Sequence, residues 1–238
     1  MSIALAACSI IFLSGVVQGL TGFGSALVAI PLLSLIMDVK QAIPLAILNA
    51  LIITTTLTYA LRHLVDWRKI LPLLIGSVPG VLLGATLLKH ADPEMISRLL
   101  GILLIAISFL HLFFRPKPIN PSCLWGGIAG FFSGAINSTV GAGGPPAIIY
   151  ATLQSWSKDE IRATLTGFFV CNGYVTALVH AGHGIINQAV VRLFFISCGC
   201  VLLGTLAGSL LSKKIHRATY LRLVYVLLTV LGVMLLVR

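Results

Sequence analysis

Two clusters of residues in this chain have types and spacing that could hold an anion without a full positive charge. The first is Gln18, Thr21, Gly22, Gly24 and Ser25, in "QGLTGFGS"; the second is Asn137, Ser138, Thr139, Gly141, Gly143, Gly144 and Pro145, in "NSTVGAGGP". Glycine lets a ligand approach the backbone closely. A helix that restarts after such a break presents N–H groups without intrahelical partners, at the positive end of its dipole. Pro145 and Pro146 suit the first turn of the restarted helix, where no N–H is needed. Amides and hydroxyls gathered in this way form a cradle for an oxyanion. Asn49 and Asn172 each lie inside the apolar run that follows a cluster. They either contact the ligand as a symmetric pair of amides or join two helices by a hydrogen bond.

The elements that carry these clusters belong in a bilayer. The chain has 238 residues, of which 58% are hydrophobic and 9% charged. A soluble domain carries about 25% charged residues, so six acidic residues cannot clothe a soluble surface. Apolar runs of about 17–25 residues recur, the length that crosses a hydrocarbon core. They are continuous, unlike the alternating strands of a β-barrel. The composition predicts an all-α integral membrane protein. The net charge of +10 does not indicate nucleic-acid binding, because the Lys and Arg lie in short turns between apolar runs. Five cysteines show no paired metal spacing; Cys198 and Cys200 diverge on a helix and read as packing residues. The first residues, "MSIALAACSIIFLSG", lack the basic start of a cleaved signal peptide and read as the first membrane segment. No cofactor or nucleotide motif is present.

The two clusters are copies of one another. "FLSGVVQGLTGFG" from Phe12 aligns with "FFSGAINSTVGAG" from Phe131, and "VLLG" occurs at both Val81–Gly84 and Val201–Gly204. The chain reads as a single membrane domain, 1–238, made of repeat one (1–114), a Pro-rich connector (115–122) and repeat two (123–238). Each repeat predicts a Gly-interrupted segment and then three uninterrupted spans: 41–61, 70–88 and 96–114, then 164–181, 190–211 and 218–237. Gly80 with Gly84, and Gly204 with Gly208, have the spacing of close helix packing.

Charge decides how the repeats are oriented. If each interrupted segment crosses once, the 16 Lys and Arg divide 9 against 7 across the membrane, with no bias. If each enters and leaves on one side as a helical hairpin, they divide 11 against 5. The second arrangement obeys the positive-inside rule. It makes the repeats inverted, with both termini outside, and puts the Lys40 and Lys158 turns on opposite faces. Inverted repeats with paired discontinuous helices indicate a transporter whose site lies at the midplane, where the copies meet.

At these residues the sequence resembles the sulfite exporter TauE/SafE family of membrane permeases, over nearly its whole length. The resemblance rests on Gly19, Gly22 and Gly24 with Pro31, on Gly141, Gly143, Gly144 and Pro145, and on the repeat layout. Phe23 interrupts the first break where the family pattern often has three glycines in a row. The resemblance implies a permease of the cell (inner) membrane that moves sulfite or organosulfonate-type anions, often outward. The expected partners are a small anionic substrate and the lipid bilayer, with room for proton coupling and a homo-oligomer, and without nucleic acid.

Two rival readings are open. One is an uptake carrier for another small anion or sulfur compound. The other is an intramembrane serine protease built on Ser133 and His180, which the duplicate Ser14-Gly15 opposes, since one catalytic site needs one nucleophile. His180 and His183 sit at a span end and read as solvated interfacial histidines. All six acidic residues fall in turns, so no carboxylate proton relay is visible.

Overall fold

The computed structural model describes residues 3–21, 24–113, 118–211 and 217–237, all helices and turns. The helices are α1 (Ile3–Thr21), α2 (Ser25–Ser34), α3 (Val39–Ala60), α4 (Trp67–His90), α5 (Pro93–Phe113), α6 (Cys123–Val140), α7 (Gly144–Thr152), α8 (Lys158–Gly182), α9 (Gln188–Leu211) and α10 (Arg217–Val237). A short 3-10 turn, Arg62–Leu64, joins α3 to α4. In each half a long helix, a break and a short helix precede three long helices.

The acidic residues of the turns start these helices. Asp38 accepts the Lys40 N–H at 2.7 Å ahead of α3, and Asp66 accepts the Arg68 N–H at 3.0 Å ahead of α4. Ser157 and Glu160 form a reciprocal capping box at the start of α8. Each cap satisfies N–H groups that a helix start leaves orphaned. α1, α3, α4 and α9 are long and apolar enough to cross a membrane. Their outward faces carry large exposed apolar residues, such as Leu71, Ile75, Leu82, Phe195 and Leu203. That much bare apolar surface suits lipid and not water.

Lipid is as apolar as leucine, so close packing and not the hydrophobic effect brings such helices together. Glycines do this here, and they pair helices from opposite halves. On α1, a side chain at Gly15 or Gly19 would strike the α9 backbone at Val201 or Thr205. In return, Gly204 and Gly208 lie against Phe12 and Val16. On α6, Gly130 and Gly134 lie against Leu73 and Ser77 of α4, while Gly80 and Gly84 lie against Phe131 and Ala135. The packing role expected for Gly80, Gly84, Gly204 and Gly208 is what the structure contains. It also corrects the register. Gly204 meets Phe12 as Gly80, not Gly84, meets Phe131. The shared "VLLG" therefore misaligns the two helices by one turn.

Candidate functional site

Each break is a turn at glycine with a polar side chain reaching across it. In the first, Gly24 takes φ 95°, a left-handed conformation that favours glycine. The Ser25 N–H, first in α2, donates to Gln18 Oε1 at 3.1 Å. Gln18 thus ties the end of α1 to the start of α2. In the second, Gly141 takes φ 70° and closes α6 with its N–H on the Asn137 carbonyl at 2.8 Å.

The second break folds the chain back on itself. Ser133 Oγ donates to the Gly143 carbonyl. A side chain on Gly143 would overlap the Ser133 carbonyl and the Asn137 backbone. Beyond α7, the Leu153 carbonyl accepts the N–H groups of Ile119 and Asn120, at 2.9 and 3.0 Å. The end of α7 therefore returns to the residues just ahead of α6, and α6–α7 is a hairpin.

Pro145 and Pro146 occupy the first turn of α7, as their type predicts. They also remove two donors that this turn would otherwise offer. What the break presents is the N–H groups of Ala142, Gly143 and Gly144, which have no partner among the described residues. The break thus leaves without partners two loop amides and the first amide of α7, and not a complete helix terminus.

Both breaks open onto one cavity of about 110 Å³. Of the residues the sequence singled out, Gln18, Gly24, Ser25, Asn137, Gly141, Gly143, Gly144, Pro145 and Asn172 line it. Asn137 Nδ2 donates to Thr176 Oγ1 at 3.0 Å. Asn172 is 2% exposed, and its Oδ1 has no hydrogen-bond partner. The lining contains no Lys, Arg, Asp or Glu, and Leu51, Leu57, Ile107, Ile148 and Phe169 make much of it apolar. Thr54 and Thr166 also line it, and sequence reasoning missed them. The available signal was a hydroxyl inside an otherwise apolar span. Both hydroxyls donate to their own helix, Thr54 to the Ala50 carbonyl and Thr166 to the Arg162 carbonyl.

Other singled-out residues lie elsewhere. Asn49 is outside the lining, and its Nδ2 donates to Ser197 Oγ of α9 at 3.1 Å. The two asparagines are therefore not equivalent: one joins helices and the other faces the cavity. Thr139 Oγ1 donates to the Ala135 carbonyl at 2.8 Å and lies 3.2 Å from the Gly84 carbonyl. Ser138 is buried against His180, with its Oγ 3.0 Å from Nε2. Gly22 and the side chain of Thr21 lie outside the described residues.

The expectation of a solvated His180 is overturned. It is 0% exposed, because the chain turns over at Gly184 and the imidazole packs inward on the end of α6. His183 alone is part-buried, with Nδ1 2.9 Å from the Val179 carbonyl. The dyad of a serine protease is not formed either, since Ser133 bonds to Gly143 and His180 to Ser138.

A polar contact lies at each end of α4. Lys69 Nζ lies 2.5 Å from Glu160 Oε1 and 5.1 Å from the centre of the Trp156 ring. The Lys69 ammonium, and then the Ser157 amide and hydroxyl, lower the Glu160 carboxyl from its usual 4.5 to about 2. At the other end of α4, Lys40 Nζ donates to the Lys89 carbonyl at 3.1 Å. α4 has 24 residues, about 36 Å, so the two contacts are a membrane's thickness apart.

An all-helical chain with apolar outer faces and broken helices around an uncharged, half-open cavity is a membrane protein of the polytopic kind. It belongs to the sulfite exporter TauE/SafE family of membrane transporters, whose model matches residues 7–235. Among curated proteins it is similar to the probable sulfite/organosulfonate exporter TauE of Cupriavidus necator, with 27% identity over 230 residues, 90% of this chain and 86% of that protein. No solved structure matches the chain.

Proposed function

We propose that this protein is a secondary transporter of the cell membrane that moves small sulfur oxyanions, sulfite or organosulfonates, outward by alternating access. The observation that carries the proposal is the cavity shared by both breaks, whose wall includes Ala142, Gly143 and Gly144, residues with unpartnered N–H groups. Amide dipoles in an apolar, uncharged pocket attract an oxyanion and still allow it to leave, as turnover requires. Non-helical backbone at membrane depth is tolerated where it lines such a cavity. The substrate class follows from the relative's name and from the family.

In this reading the two halves are inverted repeats, and α1–α2 and α6–α7 enter from opposite faces. Support comes from the hairpin of α6–α7 and from the separation of the Lys69–Glu160 and Lys40–Lys89 contacts along α4. Both termini then lie outside. Counterflow in proteoliposomes tests the function. Labelled sulfite, sulfate, thiosulfate, taurine and sulfoacetate are offered in turn, with and without a pH gradient. Saturable exchange of sulfite or a sulfonate is expected. Exchange of none of the five would end the proposal.

A further inference from the structure

The buried imidazole of His180 is unused by the cavity, yet it holds the end of the helix that forms the cavity's wall. Its Nε2 lies 3.0 Å from both the carbonyl oxygen and the hydroxyl oxygen of Ser138. That carbonyl is orphaned by the break: it would bond to Ala142 in a continuous helix, but α6 ends at Val140 and Gly141 turns left-handed. A carbonyl only accepts, so Nε2 carries the hydrogen. Nδ1 is then left with a bare lone pair, buried and without a partner.

No Asp or Glu lies beyond the first turn of any helix, so the interior offers no carboxylate to take a proton. We propose that His180 is the protonation site through which this transporter couples anion movement to a proton; the inference rests on the transport reading above. The proton adds to Nδ1 and the ring becomes an imidazolium. Nε2–H stays on Ser138, where the negative end of the α6 dipole favours the charge. The new Nδ1–H has no acceptor in this packing, and a buried unpaired charge is costly. Protonation therefore favours a second packing of α8 against α6, in which Nδ1 reaches water or an acceptor. Ser138 is three residues from Gly141, so this repacking is transmitted to the cavity wall.

Other titratable or charged groups at this end of the neighbouring elements are His183 just past α8, Asp38 and Lys40 at the start of α3, Lys89 and His90 on α4, Asp92, Glu94 and Arg98 at the start of α5, and Arg192 on α9. Lys40 is bound to the Lys89 carbonyl, His90 Nδ1 is 2.9 Å from its own helix at Thr86, and Arg98 is paired with Glu94. His183, three residues on along the same chain, is part-buried rather than enclosed, with Nδ1 2.9 Å from the Val179 carbonyl.

The test uses purified protein in proteoliposomes loaded with a pH-sensitive dye. Sulfite counterflow measures binding and translocation without net proton movement. Net flux of an organosulfonate, whose acid group stays ionised, reports only protons moved by the protein. The expected result is dye-detected proton movement with net flux by the wild type. His180→Gln is expected to retain counterflow and to lose both the proton signal and the response to an imposed pH gradient. The proposal is overturned if wild-type net flux moves no proton, whatever the variant does. It is also overturned if His180→Gln keeps gradient-driven accumulation, or if a folded His180→Gln loses counterflow. Wild-type protein with no counterflow for any of the five anions would instead refute the transport reading itself.

Discussion

Lys69 of α4 and Glu160 of α8 meet at 2.5 Å, joining a turn of the first half to a turn of the second at one end of the bundle. Lys40 caps the opposite end of α4 through the Lys89 carbonyl. A topology in which each interrupted segment crosses the membrane once puts Lys69 and Glu160 on opposite faces. Single cysteines in place of Asp159 and Asp92, both exposed, distinguish the arrangements in a background without the five native cysteines. A membrane-impermeant maleimide is expected to label them from opposite sides of the membrane. Labelling of both from one side would contradict the hairpin arrangement.

The same ion pair gives a pH signature. The Glu160 carboxyl is lowered from 4.5 to about 2, so its pairing contributes fully above pH 4.5 and is lost as pH falls toward about 2. Glu160→Gln is expected to lower the melting temperature in detergent at pH 7. The gap from wild type should close as both proteins are acidified through that window. A gap that is constant with pH would show that the carboxylate's charge plays no part.

Adjacent glycines have different roles. Gly143 lies against the Ser133 carbonyl and Asn137, with Asn137 Cβ 2.5 Å from where its own Cβ would be. Gly144 has room, with Ile148 at 3.5 Å and Phe169 at 3.8 Å from an added Cβ. Gly143→Ala is expected to destabilise the hairpin by about 1–3 kcal/mol, the usual cost of overpacking. Gly144→Ala is expected to fold like wild type and to reduce counterflow, because its methyl enters the cavity. Size-exclusion profiles, melting curves and counterflow together separate the two outcomes. Equal effects on folding would contradict the assignment.

The asparagines should also separate. Asn49→Ala removes the bond to Ser197 and is expected to cost about 0.5–2 kcal/mol, the range of interhelical hydrogen bonds in membranes. Asn172→Ala removes a group whose Oδ1 is already unpartnered, so stability should change little. Its effect is expected in the KM for transported anion. Melting temperature and concentration dependence of uptake, measured on both variants, check the pairing of effects.

The sequence by itself determined the solvent, the helices and the two breaks. Composition excludes a soluble surface, run length sets the spans, and the two glycine clusters set beside Gln, Asn, Ser and Thr interrupt their helices, whereas the glycines and prolines within α4 do not. The acidic residues Asp38, Asp66 and Glu160 were legible as turn residues because capping is local chemistry. The tertiary structure alone decided which polar groups face a cavity and which face one another. Asn49 and Asn172 sit at like positions in their repeats, but only Asn49 meets a serine on a neighbouring helix. His180 lies near a helix end, where exposure is the default, and the turn at Gly184 folds it inward onto Ser138. Gly143 and Gly144 are alike in type and adjacent in the chain, and the return path of α7 makes one a contact and the other a wall. Such differences arise from side chains that are far apart in sequence, whose distances are set only when the helices pack.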